Sequence, residues 1–336
     1  MEYPSLDKPT AGATRFNTDS AQLEIYDGNQ WTGVLATSPE QQTGGTRGVF
    51  IGGSNGTGID YINVATTGNA VNFVGVVHYS TSNLQGTSDR TRAVFSGGYG
   101  NEINKLEMTS LGDSSDFGDL NAARGNVGGC ADRTRGLFMG GYSPSNPGGM
   151  NNIDYVTIQS DGTGKDFGDV RDRWYLGAGF SSPTRGIFSG ADSTPGTIGK
   201  EHIDYVTIAT LGNSADFGDQ SEGGTWQRSA ASNAVRGLIM GGRKSPTETN
   251  SIDYITIATL GNAIDFGDLN RIARYEFALA SSTRAVNAGG YRTSPAGSND
   301  TIDYVQIATT GNAVDFGNLV VTRNKGASAS NGHGGL

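Results

Sequence analysis

What this sequence has little of narrows its function before any motif is read. Cysteine occurs once, at Cys130, so no intrachain disulfide can form. Histidine occurs three times, at His78, His202 and His333, and no HExxH, GxSxG, phosphate loop or zinc-spaced Cys/His cluster is present. No apolar run approaches membrane-spanning length. Charged residues make up 17% of the chain and the net charge is −9, which disfavours nucleic acid and anionic membrane as partners. The opening residues, MEYPSLDKPTAGATRF, lack a basic-then-apolar leader pattern. The expectation is synthesis in a cytoplasm, with any role outside a cell reached by a route other than ordinary secretion. Helical periodicity is absent throughout.

What is present is glycine, 53 of 336 residues, among short bursts of Val, Ile, Phe and Tyr. That combination suggests short strands and many tight turns. The bursts repeat. NAVNFVG (Phe73), SSDFGDL (Phe117), GKDFGDV (Phe167), SADFGDQ (Phe217), AIDFGDL (Phe266) and NAVDFGN (Phe316) follow one another at 44, 50, 50, 49 and 50 residues. Upstream of five of them stands Ile-Asp-Tyr, at Tyr61, Tyr155, Tyr205, Tyr254 and Tyr304; the second copy has Ile103-Asn104-Lys105. Further upstream an arginine opens a short apolar run ending in small residues, at Arg47, Arg92, Arg135, Arg185, Arg236 and Arg284. A small-residue segment such as FALASS precedes each arginine, so each copy reads as four strands.

Four strands in about 50 residues is the pattern of a β-propeller blade. The strand ending in a glycine pair resembles kelch repeats, the blades of galactose-oxidase-type propellers, over residues 46–336. The kelch tryptophan after the third strand is missing, and the DFG phenylalanine stands in its place. The fold class expected is therefore all-β: a six-bladed kelch-like β-propeller. The C-terminal segment RNKGASASNGH lacks following partners and the first copy lacks a preceding strand, so the last strand is expected to complete the first blade and remove two open sheet edges.

Asp265-Phe266-Gly267 is also the tripeptide with which protein kinases hold magnesium. The kinase partners (a β3 lysine, a glycine-rich loop, an HRD segment) are missing, and the tripeptide recurs at a fixed place in the repeat. The structural reading is that Phe117, Phe167, Phe217, Phe266 and Phe316 pack between blades while glycine permits a bend and Asp caps the turn. The repeated arginines are expected to pair with a carboxylate of IDY or DFG and lock blade to blade; an anion-binding ring is the alternative. Resemblance to galactose oxidase implies a copper site with a Cys-crosslinked Tyr and two His, which one Cys and three scattered His do not supply. Paired acids such as Asp265 and Asp268 recur with the repeat and are not read as a hydrolase pair. No cofactor is expected, with structural calcium in the Asp-rich turns left open.

Comparing the copies with one another locates the variable chemistry. The turn before each TRG and the TLGNA turn are nearly constant. The connection after the glycine pair varies (SNGTG, YGNE, YSPSNPGGMNN, DSTPGTIGKEH, RKSPTETNS, YRTSPAGSND), as does the one joining DFG to the next copy. In a four-stranded meander these two connections share one face, where function tends to sit. The candidate receptor-binding residues there are Tyr79, Tyr99, Tyr142, Trp174, Tyr175, Trp226, Arg243, Tyr275, Tyr291 and Arg292. The bland alternative is drift in loops whose aromatics cover blade ends.

Residues 1–35 lie outside the repeat, with 36–45 as linker. TRFN, a polar turn, LEIYD and a Gly-Asn turn before Trp31 read as a hairpin. The wording G-x-x-RFNT…LE-x-YDG-x-x-W, from Gly12 to Trp31, resembles segments of bacteriophage tail fibres and other virion proteins, and the TRG…IDY…DFG repeat resembles structural proteins of marine phages. The resemblance implies a non-enzymatic virion protein, a tail fibre or tip adhesin, made in the host cytoplasm and released by lysis. Residues 1–35 would dock to other virion proteins or form a homotrimer, and the propeller would bind a host-surface glycan or protein. The alternatives are a purely architectural decoration or joint protein and an enzyme acting on polysaccharide.

Overall fold

The computed structural model describes residues 9–17, 22–33, 46–54, 56–78, 82–191 and 200–336, and every regular element among them is a β-strand. The chain divides into two units, Met1–Gln42 and Thr43–Leu336. The expected linker at 36–45 and Tyr79 lie outside the described residues.

The first unit holds an antiparallel sheet of three strands, Thr14–Asn17, Gln22–Tyr26 and Trp31–Gly33, one more than the expected hairpin. Asp27 explains the third. Its carboxylate accepts the N–H groups of Asn29 and Gln30 at 2.7 and 2.8 Å, closing a turn that returns Trp31 beside Tyr26. The same bonds hold the Asp27 carboxyl below its usual range. Arg15, Glu24, Tyr26 and Trp31 share one face, with the Arg15 guanidinium 4.3 Å from the Trp31 ring. On the other face Phe16, Leu23 and Ile25 are exposed.

The second unit contains six four-stranded antiparallel sheets, numbered 1 to 6 here in chain order. Sheet 5 is representative, with Ser229–Ser232, Arg236–Met240, Ser251–Thr256 and Ile264–Asp268 in spatial order. Its second strand is an apolar run stopped by Gly241 and Gly242, whose φ angles of 58° and 100° suit glycine. Four consecutive residues of that strand are buried, so both of its faces are covered, whereas the outermost strand exposes most of its length. Sheet 1 takes its first strand, Ala327–Ser330, from the far end of the chain and pairs it with Arg47–Ile51, followed by Gly58–Asn63 and Val71–Val76. Sheets 5 and 6 also carry short hairpins after the glycine pair, Arg243–Lys244 with Thr247–Glu248 and Tyr291–Thr293 with Ala296–Ser298.

The apolar core is divided among neighbouring sheets. Val49 and Phe73 meet Phe95 and Met108 between sheets 1 and 2. Equivalent clusters fill each following seam, and Phe50 and Val64 meet Phe277 and Phe316 between sheets 1 and 6. The first strands of successive sheets touch one another, which their small residues permit. Ser232 Oγ donates to the Ser181 carbonyl at 2.7 Å, and Ser181 Oγ to that of Ala131 at 2.6 Å. This all-β architecture is consistent with a β-propeller.

The repeated residues hold sheet to sheet, by contacts other than the expected carboxylate pairing. The Arg236 guanidinium lies 4.4 Å from the Tyr254 ring of its own sheet and donates to the Ile307 carbonyl of the next at 2.9 Å. Arg47, Arg135, Arg185 and Arg284 repeat this, 4.7 to 5.1 Å from Tyr61, Tyr155, Tyr205 and Tyr304. The strand register is the reason. Arg236 pairs with Thr256 and Leu238 with Tyr254, so Tyr254 is the diagonal neighbour on the arginine's own face and Asp253 points away. Each tyrosine meets the equivalent phenylalanine of its sheet nearly edge-on, Tyr254 at 6.0 Å from Phe266 and likewise at Phe73, Phe167, Phe217 and Phe316.

DFG itself is a seam element. The Phe266 carbonyl accepts the Gly311 N–H of the next sheet at 2.8 Å. Gly267 has φ 146°, and a Cβ there would fall 2.5 Å from the Gly311 oxygen, so no larger residue fits. Asp265 is exposed and caps nothing. That role belongs to Asn312, whose Oδ1 accepts the Asp268 N–H at 3.1 Å.

Candidate functional site

Six residues stand at one place in the six sheets, just before the first strand: Asn83, Asn126, Leu176, Gln227, Tyr275 and Lys325. All have φ between 55° and 62°. Each backbone N–H from Asn126 to Lys325 donates to the carbonyl of the preceding member, at 3.0 to 3.3 Å, and the Lys325 carbonyl accepts from Leu84 N–H at 3.2 Å. The result is a cyclic rosette of hydrogen bonds. Non-glycine residues in the left-handed region carry strain, and Leu, Gln, Tyr and Lys are poorly suited to it. In a chain with 53 glycines, none occupies these six positions. One backbone geometry thus carries a varied set of side chains, around a cavity of about 50 Å³.

Among the described residues, variable connections of several sheets pack around this rosette. Isolated bridges join the two kinds of connection, Gly125 with Tyr142, Trp226 with Arg243 and Arg274 with Tyr291. Tyr99, Tyr142 and Tyr175 form an edge-to-face row with centroids 5.5 and 5.3 Å apart. Arg274 lies 5.4 Å from the rings of both Tyr275 and Tyr291, and Lys325 lies 4.7 Å from Tyr275. The Tyr275 hydroxyl accepts from Gln227 Nε2 at 2.7 Å. Burial, with Tyr99 nearby, pushes the Tyr275 hydroxyl up despite Arg274 and Arg243. The buried Nε atoms of Arg243, Arg274 and Arg292 have no hydrogen-bond acceptor.

The structure therefore brings Tyr99, Tyr142, Tyr175, Arg243, Tyr275 and Tyr291 into one belt. Arg292 is half-buried in the adjoining hairpin. The two tryptophans differ from expectation. Trp174 and Trp226 are each only 8% exposed, and Trp174 is a core residue meeting Phe188 at 5.8 Å. The Trp174 indole fills the seam between sheets 3 and 4, where Gly177 leaves room for it, while Trp226 lies under the Arg243 guanidinium, which stands 5.8 Å from its ring. Sequence comparison named Tyr275 but missed Arg274 and the rosette members Asn83, Asn126, Leu176, Gln227 and Lys325. The available signal was that each lies in the connection entering a small-residue strand.

Groups with catalytic potential are dispersed. Cys130 is buried, which pushes its thiol up. His202 Nδ1 lies 3.2 Å from Asp219 on sheet 4, His333 Nε2 contacts the Ser88 carbonyl at 2.7 Å, and His78 sits between sheets 1 and 2. Among the described residues no three His, Cys, Asp or Glu gather to hold a metal ion.

No family model matches the sequence, and no curated protein matches it. Solved structures do match, 521 chains in all, so the fold alone does not select an activity. One is described as the structure of YjhT, at 10% identity and a TM-score of 0.63, over 74% of this chain and 87% of that one. At that identity the likeness concerns the fold alone.

Proposed function

We propose that this chain is a non-enzymatic binding protein, a kelch-like β-propeller of six blades closed by Ala327–Ser330. In this reading it is a bacteriophage tail-fibre or tip adhesin whose rosette face binds a host-surface glycan or protein. The observation that carries it is the convergence of tyrosines and cations from several sheets on the one face where the copies differ. Tyrosine and arginine give large contact area with polar ends, the composition of binding hot spots and of sugar-stacking platforms. The closed six-blade reading is supported by the seam between sheets 6 and 1, where Gly68 N–H bonds the Phe316 carbonyl and Arg284 bonds that of Val64. The exposed Phe16, Leu23 and Ile25 give the N-terminal sheet an apolar face for docking to other virion proteins. A purely architectural virion protein would use that apolar face equally and leave the belt idle.

Adsorption separates the two. Labelled protein is applied to a panel of bacterial cells and a glycan array, with Tyr142→Ala, Tyr291→Ala and Arg243→Ala as variants. Binding that drops at least about tenfold per variant, with unchanged melting, is expected for hot-spot positions. Intact protein that adsorbs to nothing, or variants that adsorb like the parent, would leave architecture as the role.

A further inference from the structure

We infer that the centre of the rosette is an anion subsite, taking one carboxylate, sulfate or phosphate substituent of the bound glycan, with Lys325 as its point charge. This rests on the binding reading above and adds the chemical class of the ligand. The first argument is charge. The chain is acidic overall, yet Arg243, Arg274 and Lys325 crowd one face. Arg274 Nε has Glu248 at 3.4 Å, but Lys325 has no ion-pair partner among the described residues. Burial, with Arg274 close by, pulls the Lys325 ammonium below its usual range. An arriving anion would supply the counter-charge that Lys325, crowded by Arg274, lacks.

The second argument is size. A cavity of about 50 Å³ has room for a few waters and not for a pyranose ring. A single small substituent fits, while the ring bearing it would lie outside, against the belt tyrosines. The third is donors. The amides of Asn83, Asn126 and Gln227 line the same cavity as Lys325 and Tyr275. Amides and an ammonium together can satisfy the several acceptor sites of an oxyanion. The cyclic hydrogen bonds fix the backbones from which those side chains extend, so binding costs no further backbone entropy.

The test uses glucuronic acid and glucose, which differ only in the carboxylate, titrated into isotope-labelled full-length protein and followed at the Leu84 and Lys325 amides by NMR. Glucuronate is expected to bind at least about tenfold more tightly than glucose, and Lys325→Gln to remove that preference. The substitution keeps the backbone bonds of the rosette, and an unchanged melting curve confirms it. Should the variant not fold, the salt dependence of glucuronate binding by the parent decides, since a charge-led contact weakens with salt. Equal binding of the two sugars, no response at the rosette, or glucuronate binding indifferent to Lys325→Gln or to salt overturns the inference. Anion binding without cell adsorption would instead remove the adhesin reading and leave the subsite standing.

Discussion

Sheet 2 and the other five sheets solve the same seam differently. In the five, the aspartate of IDY is buried and met by an arginine from the chain just before its sheet, in a connection for four of them and in the outermost strand of sheet 3 for Arg171. Arg124 pairs with Asp154 at 3.0 Å, Arg171 with Asp204 at 2.5 Å, Arg228 with Asp253 at 2.6 Å and Arg323 with Asp60 at 2.8 Å, and Arg271 pairs with Asp303. These arginines do not occupy one repeat position. Arg124 and Arg323 stand two residues before their rosette member, Arg271 four, Arg171 five, and Arg228 one after. In sheet 2 the aspartate is Asn104, and residues 74–84 contain no arginine at all. Charge and counter-charge are therefore absent together. A buried charge must be paired, but a seam does not need the pair, so the pair is one workable filling among others.

The largest effect should come from breaking that rule. Asp253→Asn leaves Arg228 buried opposite an amide, with both side chains almost wholly inaccessible. Loss of one partner of a buried pair costs about 3–5 kcal/mol. Replacing Arg228 by Leu as well, which imitates sheet 2, should recover most of the loss in urea unfolding. If the double variant is no more stable than Asp253→Asn alone, sheet 2 is not a neutral alternative to the charged seam.

The comparison also shows where sequence reading reaches and where it stops. The repeat, its four strands and the origin of the strand completing sheet 1 were legible, because periodic apolar bursts and glycine stops record the backbone directly. Partner choice was not. Arg236 and Asp253 look like an ion pair in the sequence, yet strand register turns them to opposite faces. The arginines that do reach the aspartates were obscured by their shifting offsets. The site was legible as a face, since variable connections must lie together, but not residue by residue. Trp174 and Trp226 resemble exposed anchors in sequence because nothing local records their burial. The rosette was hidden more deeply, as positive φ leaves no signature when the residue is Leu, Tyr or Lys.

A smaller effect is expected at Glu276, which occupies in sheet 6 the place Arg228 holds in sheet 5. Its carboxylate has no hydrogen-bond partner of good geometry, and the Arg271 guanidinium stands 3.6 Å away. Burial raises its pKa to about 8, against Arg271, Asn287 and Arg228, while Asp303 adds to the rise. The folded protein thus holds the proton more tightly than the unfolded chain. The resulting stability is full below about pH 4.5 and is lost as pH rises through about 8. Glu276→Gln should flatten that fall, so that the variant becomes the more stable of the two as pH rises through about 8. Asp303, also raised by burial, keeps some slope in place. Parallel pH profiles for parent and variant would show that Glu276 does not titrate in this window.

The smallest effect tests the arginine stack. In sheet 2 Lys105 stands where the other sheets have tyrosine, so Arg92 has no ring to lie on. It bonds Glu107 at 2.6 Å and Asp161 of the next sheet at 3.3 Å, and Lys105 also pairs with Asp161. Arg92 still reaches the Ile158 carbonyl at 3.2 Å, so the sheet-to-sheet bond survives the exchange of aromatic for ionic support. Partly exposed ion pairs and exposed cation–π contacts are each worth roughly 0.5–1 kcal/mol. Lys105→Tyr should therefore change stability by less than about 1 kcal/mol at ordinary ionic strength. The distinguishing readout is salt. The parent should lose stability as salt screens the Arg92, Lys105 and Asp161 network, and the variant should lose less. Equal salt slopes would mean that the ionic network contributes nothing measurable, leaving the backbone bond from Arg92 as what all six arginines share.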